Sequence, residues 1–120
     1  WLLKAAEHGI ALAQTSVGRH YSAGEGVTQN FKQSAIWYRK AAEQGDVNSQ
    51  SLLGYLYLNG EGVPQDYGRA YVWLSVATAN GSYYSAEARD SAAKELSREE
   101  LAAAQSLAGQ YYEKYQKKEH

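Results

Sequence analysis

Three tryptophans divide this chain at equal intervals. Trp1, Trp37 and Trp73 are separated from one another by 36 residues. A fixed interval of roughly 20–50 residues is typical of repeat proteins, in which each unit buries its apolar face by stacking against its neighbours. The spacing therefore predicts a repeat array rather than a domain with one unrepeated core.

The residues that follow each tryptophan also repeat. The three nine-residue segments that begin with tryptophan end in Gly9, Gly45 and Gly81. After the glycine, the first two units share further residues in the same order: Gln14 and Gln50, Gly18 and Gly54, Tyr21 and Tyr57, and Gly24–Val27 and Gly60–Val63. We therefore predict half a unit at 1–9, units at 10–45 and 46–81, and a degenerate unit with a C-terminal capping helix at 82–120, all in one solenoid domain.

Each complete unit is predicted to form two helices. The first helix should span Ala11–Ser22, and again Val47–Leu58, and the Gly-Glu-Gly-Val segment should end it because glycine permits a positive φ. The second helix should begin after Asn30 or Asp66, since both residue types are good N-caps. The second helix of the first unit carries a predicted buried stripe at helical spacing, formed by Ser34, Trp37, Tyr38, Ala41 and Ala42.

These repeated residues resemble those of the Sel1-like repeat family, relatives of the tetratricopeptide repeats with a slightly longer unit. The pattern reads Ala-x-x-x-Leu-Gly-x-x-Tyr-x-x-Gly-x-Gly-Val, then Asp, Ala, Trp and Ala-Ala-x-x-Gly. The first unit departs from it at Val17, Asn30 and Ser34. The second unit matches best, through Leu53, Gly54, Tyr57, Gly60, Gly62, Val63, Asp66, Ala70, Trp73 and Gly81.

The resemblance implies an all-α fold, a right-handed α/α superhelical solenoid of antiparallel helix pairs. It also implies a bacterial protein with more repeats before residue 1. The apolar face at Leu2, Ala5 and Ala6 would then lack its upstream neighbour.

The pattern weakens after Gly81. We predict a helix from Tyr83 to Leu96 and a last helix from Arg98 to Lys117. Ser97 and Glu100 have the spacing of a capping box, in which each side chain bonds to the other residue's amide.

Composition excludes some classes of function. The chain has 12 basic and 13 acidic residues and a net charge of -1, which provides no general attraction for nucleic acid or an anionic membrane. No apolar run approaches the roughly 20 residues of a transmembrane helix. The absence of cysteine leaves the bacterial cytoplasm, the periplasm and secretion all open. The sequence also leaves the oligomeric state open.

The motifs that could carry chemistry are weak. His8, His20 and His120 lack the spacing of metal ligands, so we predict no metal or cofactor site. Gly24-x-Gly26 lacks the Gly-Lys-Ser/Thr ending of a phosphate loop. The Ser91–Lys94 segment matches the Ser-x-x-Lys motif of penicillin-recognising enzymes, but the companion motifs are missing, so we predict a protein that is not an enzyme.

The candidate partner-binding residues lie on the first helices, which line the concave face in this architecture. The units differ there while their packing positions repeat. Arg19 and Tyr55 are the strongest candidates, because arginine and tyrosine are frequent binding hot spots. The alternative is an ordinary solvated helix face. The predicted positions are Leu12, Thr15 and Arg19, then Asn48, Ser51 and Tyr55, then Tyr84, Glu87 and Ser91.

Three functions follow from the sequence. The leading hypothesis is a scaffold or adaptor that binds a protein or peptide segment in its concave groove. The first alternative is the repeat region of an exported or envelope protein involved in signalling or host interaction. The second is a weak β-lactam-binding hydrolase.

Overall fold

The computed structural model describes residues 2–24 and 29–116. Within those ranges the chain forms seven α-helices and no strand. We call α2, α4 and α6 the A helices and α1, α3, α5 and α7 the B helices. Their bounds are α1 Leu2–Glu7, α2 Ala11–Ala23, α3 Phe31–Ala42, α4 Val47–Asn59, α5 Tyr67–Ala79, α6 Ser85–Lys94 and α7 Arg98–Lys114.

The predicted helix starts are confirmed by their caps. The Asn30 side chain accepts a hydrogen bond from the Gln33 amide at 3.1 Å, and that of Asp66 accepts one from the Arg69 amide at 3.0 Å. The capping box at Ser97 is also present. These side chains satisfy amides that the first turn of a helix leaves without a backbone partner.

The helices at the C-terminal end are shorter than predicted. Helix α6 begins at Ser85 rather than Tyr83, because a turn stabilised by the bond from the Ser85 amide to the Ser82 carbonyl precedes it. Helix α7 ends at Lys114, and the predicted end at Lys117 lies outside the described residues.

Glycines end the A helices α2 and α4 in the left-handed conformation, as predicted. The φ angles of Gly24, Gly60 and Gly62 are 74°, 69° and 76°; Gly26 lies outside the described residues. Gly62 is constrained in a second way, since a Cβ atom there would lie 2.2 Å from the Phe31 carbonyl oxygen. The turn after α4 therefore packs directly against the start of α3.

Two further glycines let the A and B helices approach closely. A Cβ atom on Gly18 would lie 2.5 Å from the Tyr38 ring, and one on Gly54 would lie 2.6 Å from Cγ of Leu74. Large side chains therefore fill the space that the glycines leave, which lets the core reach a high packing density.

The two tryptophans of the complete units occupy equivalent buried sites, as predicted. Trp37 is 9% exposed and Trp73 is 2% exposed. The predicted stripe on α3 is buried throughout. Together with the helix pairing, this burial confirms the two-helix repeat.

Helix α7 closes the core over α5. The ring of Trp73 lies 5.3 Å from that of Tyr111 and 5.7 Å from that of Tyr115, measured between centroids. Ala104 and Ala108 pack against Val72 in the same interface. Aromatic contacts of this kind stabilise a core beyond the area that they bury.

The prediction for the first helix was wrong about which residues are left uncovered. Ala6 is fully buried, and Leu2 and Ala5 pack against the cluster of Ala13, Val17 and Trp37. This face of α1 is therefore turned toward α2 and α3. The large apolar residues that remain exposed in this part of the chain are Leu3, Ile10 and Leu12.

We expect Gly54→Ala to lower the free energy of unfolding by about 1–3 kcal/mol, as overpacking of a core does. The added methyl would collide with Leu74, which is fully buried. Urea unfolding followed by circular dichroism measures the change.

Gly109→Ala is the matched control, because a Cβ atom on this glycine of α7 meets nothing within 4 Å. It should be neutral or stabilise the protein by up to about 1 kcal/mol, the helix propensity difference. Equal effects of the two changes would contradict the close packing at Gly54.

Candidate functional site

Pairs of buried hydroxyl groups join each A helix to the next. Oγ1 of Thr15 lies 2.7 Å from Oγ of Ser49, and Oγ of Ser51 lies 2.7 Å from Oγ of Ser85. The second pair is the first displaced by 36 residues. Ser82 extends it, with its Oγ 3.0 Å from that of Ser51. The A helices therefore form a continuous layer.

Two of the predicted partner-binding residues belong to these pairs. Thr15 is 3% exposed and Ser51 is 1% exposed, so their selection as groove residues was wrong. Thr15 stands three residues after Leu12, and the helical turn of about 100° per residue directs it toward α4 instead of solvent. A hydroxyl group can be buried at this contact between consecutive A helices because it forms a hydrogen bond with a hydroxyl group of the other helix.

The other predicted residues lie on the solvent side of the layer. We call this surface the A-helix face. Tyr55 is half-buried, whereas Leu12 is 72% exposed and Tyr84 is 61% exposed. The remaining exposed members are Arg19, Asn48, Glu87 and Ser91.

Three residues of the A-helix face were missed by the sequence analysis. Ser16, Leu52 and Ala88 occupy one equivalent position in the three A helices, and all are half-buried. Helical spacing alone did not distinguish Ser16 from Thr15, because at about 100° per residue positions 12, 16 and 19 span an arc of about 60°, as positions 12, 15 and 19 do. Their partial exposure adds them to the A-helix face.

Tyr55, Tyr84 and Glu87 come together at the α4–α6 end of the A-helix face. The pKa of the Tyr55 hydroxyl is raised, first by burial and then by the neighbouring Tyr84 and Glu87. An aromatic pair beside a carboxylate is suited to a cationic side chain, which both ring faces and negative charge attract.

Arg19 lies apart from this cluster. Its positive charge acts on Tyr38, whose pKa is raised by burial and lowered in smaller part by the Ser22 hydroxyl and by Arg19. Among the described contacts, none joins Arg19 to Tyr55. Arg19 therefore gives α2 a basic side chain, whereas Tyr55 on the next A helix belongs to the cluster with Tyr84 and Glu87.

Glu87 shows how the surface changes at α6. It is the equivalent of Thr15 and Ser51, yet it is exposed. Helix α7 packs on α5, so it leaves this side of α6 open to solvent. A charged residue is therefore accommodated where the preceding units require a buried hydroxyl.

The geometry offers no support for chemistry at Ser91 and Lys94. Both side chains are exposed, and the Ser91 hydroxyl donates to the Glu87 carbonyl at 3.1 Å. No group of three or more His, Asp or Glu side chains in the described part of the chain could hold a metal ion.

None of the helices described is both long and apolar enough to cross a membrane.

Comparison with known proteins identifies the repeat. The family model of the Sel1 repeat matches residues 1–10, 11–46 and 47–82. The chain belongs to the Sel1 repeat family. Sel1 repeats generally mediate protein–protein interactions, and proteins built from them are typically non-enzymatic scaffolds. The curated proteins contain no match to this chain.

Solved structures confirm the predicted solenoid class. The chain is similar to c5321, a protective antigen present in uropathogenic Escherichia coli strains that displays an SLR fold, with 40% identity over 96% of this chain and a TM-score of 0.92. It is also similar to a Sel1 repeat protein from Oxalobacter formigenes, with 41% identity over 72% of this chain and a TM-score of 0.71. This chain spans 25% of the length of each of those chains.

We expect Glu87→Gln to lower the pKa of Tyr55 toward its ordinary value, because a negative charge disfavours the phenolate. Titration of the Tyr55 ring signals by NMR above pH 10 measures it. The raised pKa means that the folded protein holds this proton more tightly than the unfolded chain. Tyr55 therefore leaves the free energy of unfolding unchanged with pH below about 10, where it is protonated in both states. As the pH rises above 10, the unfolded chain loses this proton more readily, so the free energy of unfolding falls.

Glu99→Gln is a control that removes a carboxylate from the exposed first turn of α7. An unchanged Tyr55 pKa in Glu87→Gln, or the same change in both variants, would show that Glu87 does not act on Tyr55.

Proposed function

We propose that the A-helix face binds an extended peptide or protein segment. The observation that supports this is the contrast between positions: packing residues repeat from unit to unit, whereas the exposed residues of the face differ. Arg19, Tyr55 and Ser91 occupy one equivalent position, and Leu12, Asn48 and Tyr84 occupy another. Differences at fixed positions on a rigid layer give a surface that can discriminate between partners.

The surface has the composition of a recognition site. Tyr84 and Tyr55 supply aromatic area, Leu12 and Leu52 supply apolar area, and Arg19 supplies a charged donor group. Aromatic residues and arginine are enriched at binding hot spots because they combine a large contact area with polar groups. The family generally mediates protein interactions, which fits this use of the face.

The charges of the face suggest the orientation of the bound segment. Arg19 is on α2 and Glu87 is on α6, two helix spacings away, and packed helices lie about 8–10 Å apart. We infer that the segment carries an acidic group near α2 and a basic side chain near Tyr55, Tyr84 and Glu87. An extended chain at about 3.3 Å per residue would cover that span with roughly five or six residues.

Alanine replacement at Arg19 and Tyr55 tests this proposal. Each change should weaken binding of the captured partner by more than about 1 kcal/mol, the threshold used for hot spots. The fold should remain, because Arg19 is exposed and Tyr55 is only half-buried. Calorimetry with the partner identified by affinity capture of the full-length protein measures the loss.

Gln105→Ala provides the matched control, since it is an exposed residue on α7, away from the A helices. It should leave affinity unchanged. If changes on the B helices reduced binding while Arg19→Ala and Tyr55→Ala had no effect, the partner would bind elsewhere and the proposal would be wrong.

A second candidate is suggested by the similarity to c5321, which is described as a protective antigen. The same repeats would then belong to an exported protein that meets a host. Cell fractionation of the full-length protein separates the two settings, since an export route predicts its recovery outside the cytoplasm.

A further inference from the structure

A cluster of two arginines and a tyrosine lies outside the A-helix face. Arg39 of α3 donates a hydrogen bond through Nη2 to the hydroxyl oxygen of Tyr57. Arg69 of α5 approaches the same residue from the other B helix. The guanidinium carbons of Arg39 and Arg69 lie 5.9 Å and 5.8 Å from the centroid of the Tyr57 ring.

Tyr57 holds this cluster in place. Its side chain comes from α4 and is 3% exposed, so its ring is fixed in the core between α3 and α5. Arg39 contacts its hydroxyl, and both guanidinium groups also lie over its ring. Interaction with the Tyr57 side chain is also the largest of the effects that raise the pKa of Arg69. Two long side chains are therefore held against one tyrosine whose position is fixed by the core.

The cluster has more positive than negative charge. Arg69 has one carboxylate partner, with its Nε 3.5 Å from Oδ2 of Asp66. The other oxygen of Asp66 is occupied as the N-cap of α5. Within the described residues no carboxylate lies within ion-pair distance of Arg39. Two like charges beside one carboxylate repel each other, and an added anion would relieve that repulsion.

The repeat does not require these arginines. In the preceding unit, Tyr21 takes the place of Tyr57, but Leu3 and Gln33 stand at the positions of Arg39 and Arg69. The tyrosine thus belongs to the repeated packing, whereas the arginine pair, with one arginine from each of two consecutive units, is found only around Tyr57. Tyr21 keeps the equivalent place without either arginine.

We propose that Arg39, Arg69 and the Tyr57 hydroxyl form a binding site for an oxyanion, either a phosphate group or a carboxylate. The two guanidinium groups offer several N–H donors in planar forks that match the oxygens of such groups. The Tyr57 oxygen accepts from Arg39, which leaves its own hydrogen available to donate. This site lies on the side of the B helices and is independent of the A-helix face.

NMR of the arginine Nε–H groups tests the site directly. Inorganic phosphate and, separately, acetate are titrated at constant ionic strength, with chloride as the balancing anion. Saturable shifts of the Arg39 and Arg69 signals are expected. Arg39→Gln and Arg69→Gln should each raise the dissociation constant about tenfold or more, because each removes a charge-assisted hydrogen bond.

Lys40→Gln is the matched control, since it removes the same charge from the next residue of α3. Lys40 lies over the Trp37 ring, with Nζ 4.5 Å from its centroid, and not at Tyr57. It should leave the dissociation constant unchanged. Tyr57→Phe keeps the ring and removes only the hydroxyl, so it should weaken binding while the repeat stays folded.

The two anions distinguish the sources of the ligand. Tighter binding of phosphate supports a phosphorylated ligand, and equal or tighter binding of acetate supports an acidic side chain or chain terminus. Both outcomes support the oxyanion site. The absence of a saturable shift with either anion, or an equal loss of affinity in Lys40→Gln, would overturn the oxyanion site. Neither result would affect the proposal that the A-helix face binds a peptide or protein segment.

Discussion

The array depends on a buried glutamine near the start of the A helices α2 and α4. Nε2 of Gln14 donates to the Ala6 carbonyl at 3.1 Å, and Nε2 of Gln50 donates to the Ala42 carbonyl at 3.1 Å. Each glutamine thereby satisfies a carbonyl at the end of the preceding B helix. Each of these carbonyls also accepts a backbone bond at 3.0 Å, from the Gly9 or the Gly45 amide, so the glutamine supplies the second hydrogen bond of a carbonyl that can accept two.

The same glutamines also reach the following B helix, so three helices are tied at one point. Oε1 of Gln14 accepts from Gln44 at 2.8 Å, and Oε1 of Gln50 accepts from Asn80 at 3.0 Å. At the second point the Tyr115 carbonyl of α7 accepts from Gln50 at 2.9 Å. A polar network with fixed partners sets the register between units, which apolar stacking alone specifies weakly.

The sequence could predict the fold because its repeated residues are those that carry packing and helix ends. The caps at Asn30 and Asp66 and the glycine turns have local physical causes, so one unit is sufficient to recognise them. The outcome at α1 was different. The neighbouring helices determine which face of a helix is covered. The sequence around Leu2 and Ala5 does not contain that information.

The exposed residues of the A-helix face were predicted only in part, and the two wrong assignments have the same cause. Thr15 and Ser51 are polar residues on an A helix, so composition favoured exposure, yet a hydroxyl can be buried wherever another hydroxyl meets it. Each of these hydroxyl pairs joins two helices through residues 34 positions apart in the sequence, so the pairing can be identified only in the folded structure. Arg19 and Tyr84 needed no such partner and are exposed as predicted, while their role in binding stays a prediction.

Comparing equivalent positions of the units distinguishes residues that serve packing from residues that do not, on both sides of the solenoid. A residue that repeats, such as Tyr57, is explained by packing in every unit. A residue that occurs once, such as Arg39, is not required by the repeated packing. It adds a charged group at one position of the surface. The A-helix face collects several such residues around a polar and aromatic surface, whereas the B side collects two arginines around one phenol. Because the scaffold holds both sets at fixed separations, each can change without disturbing the helices that carry it.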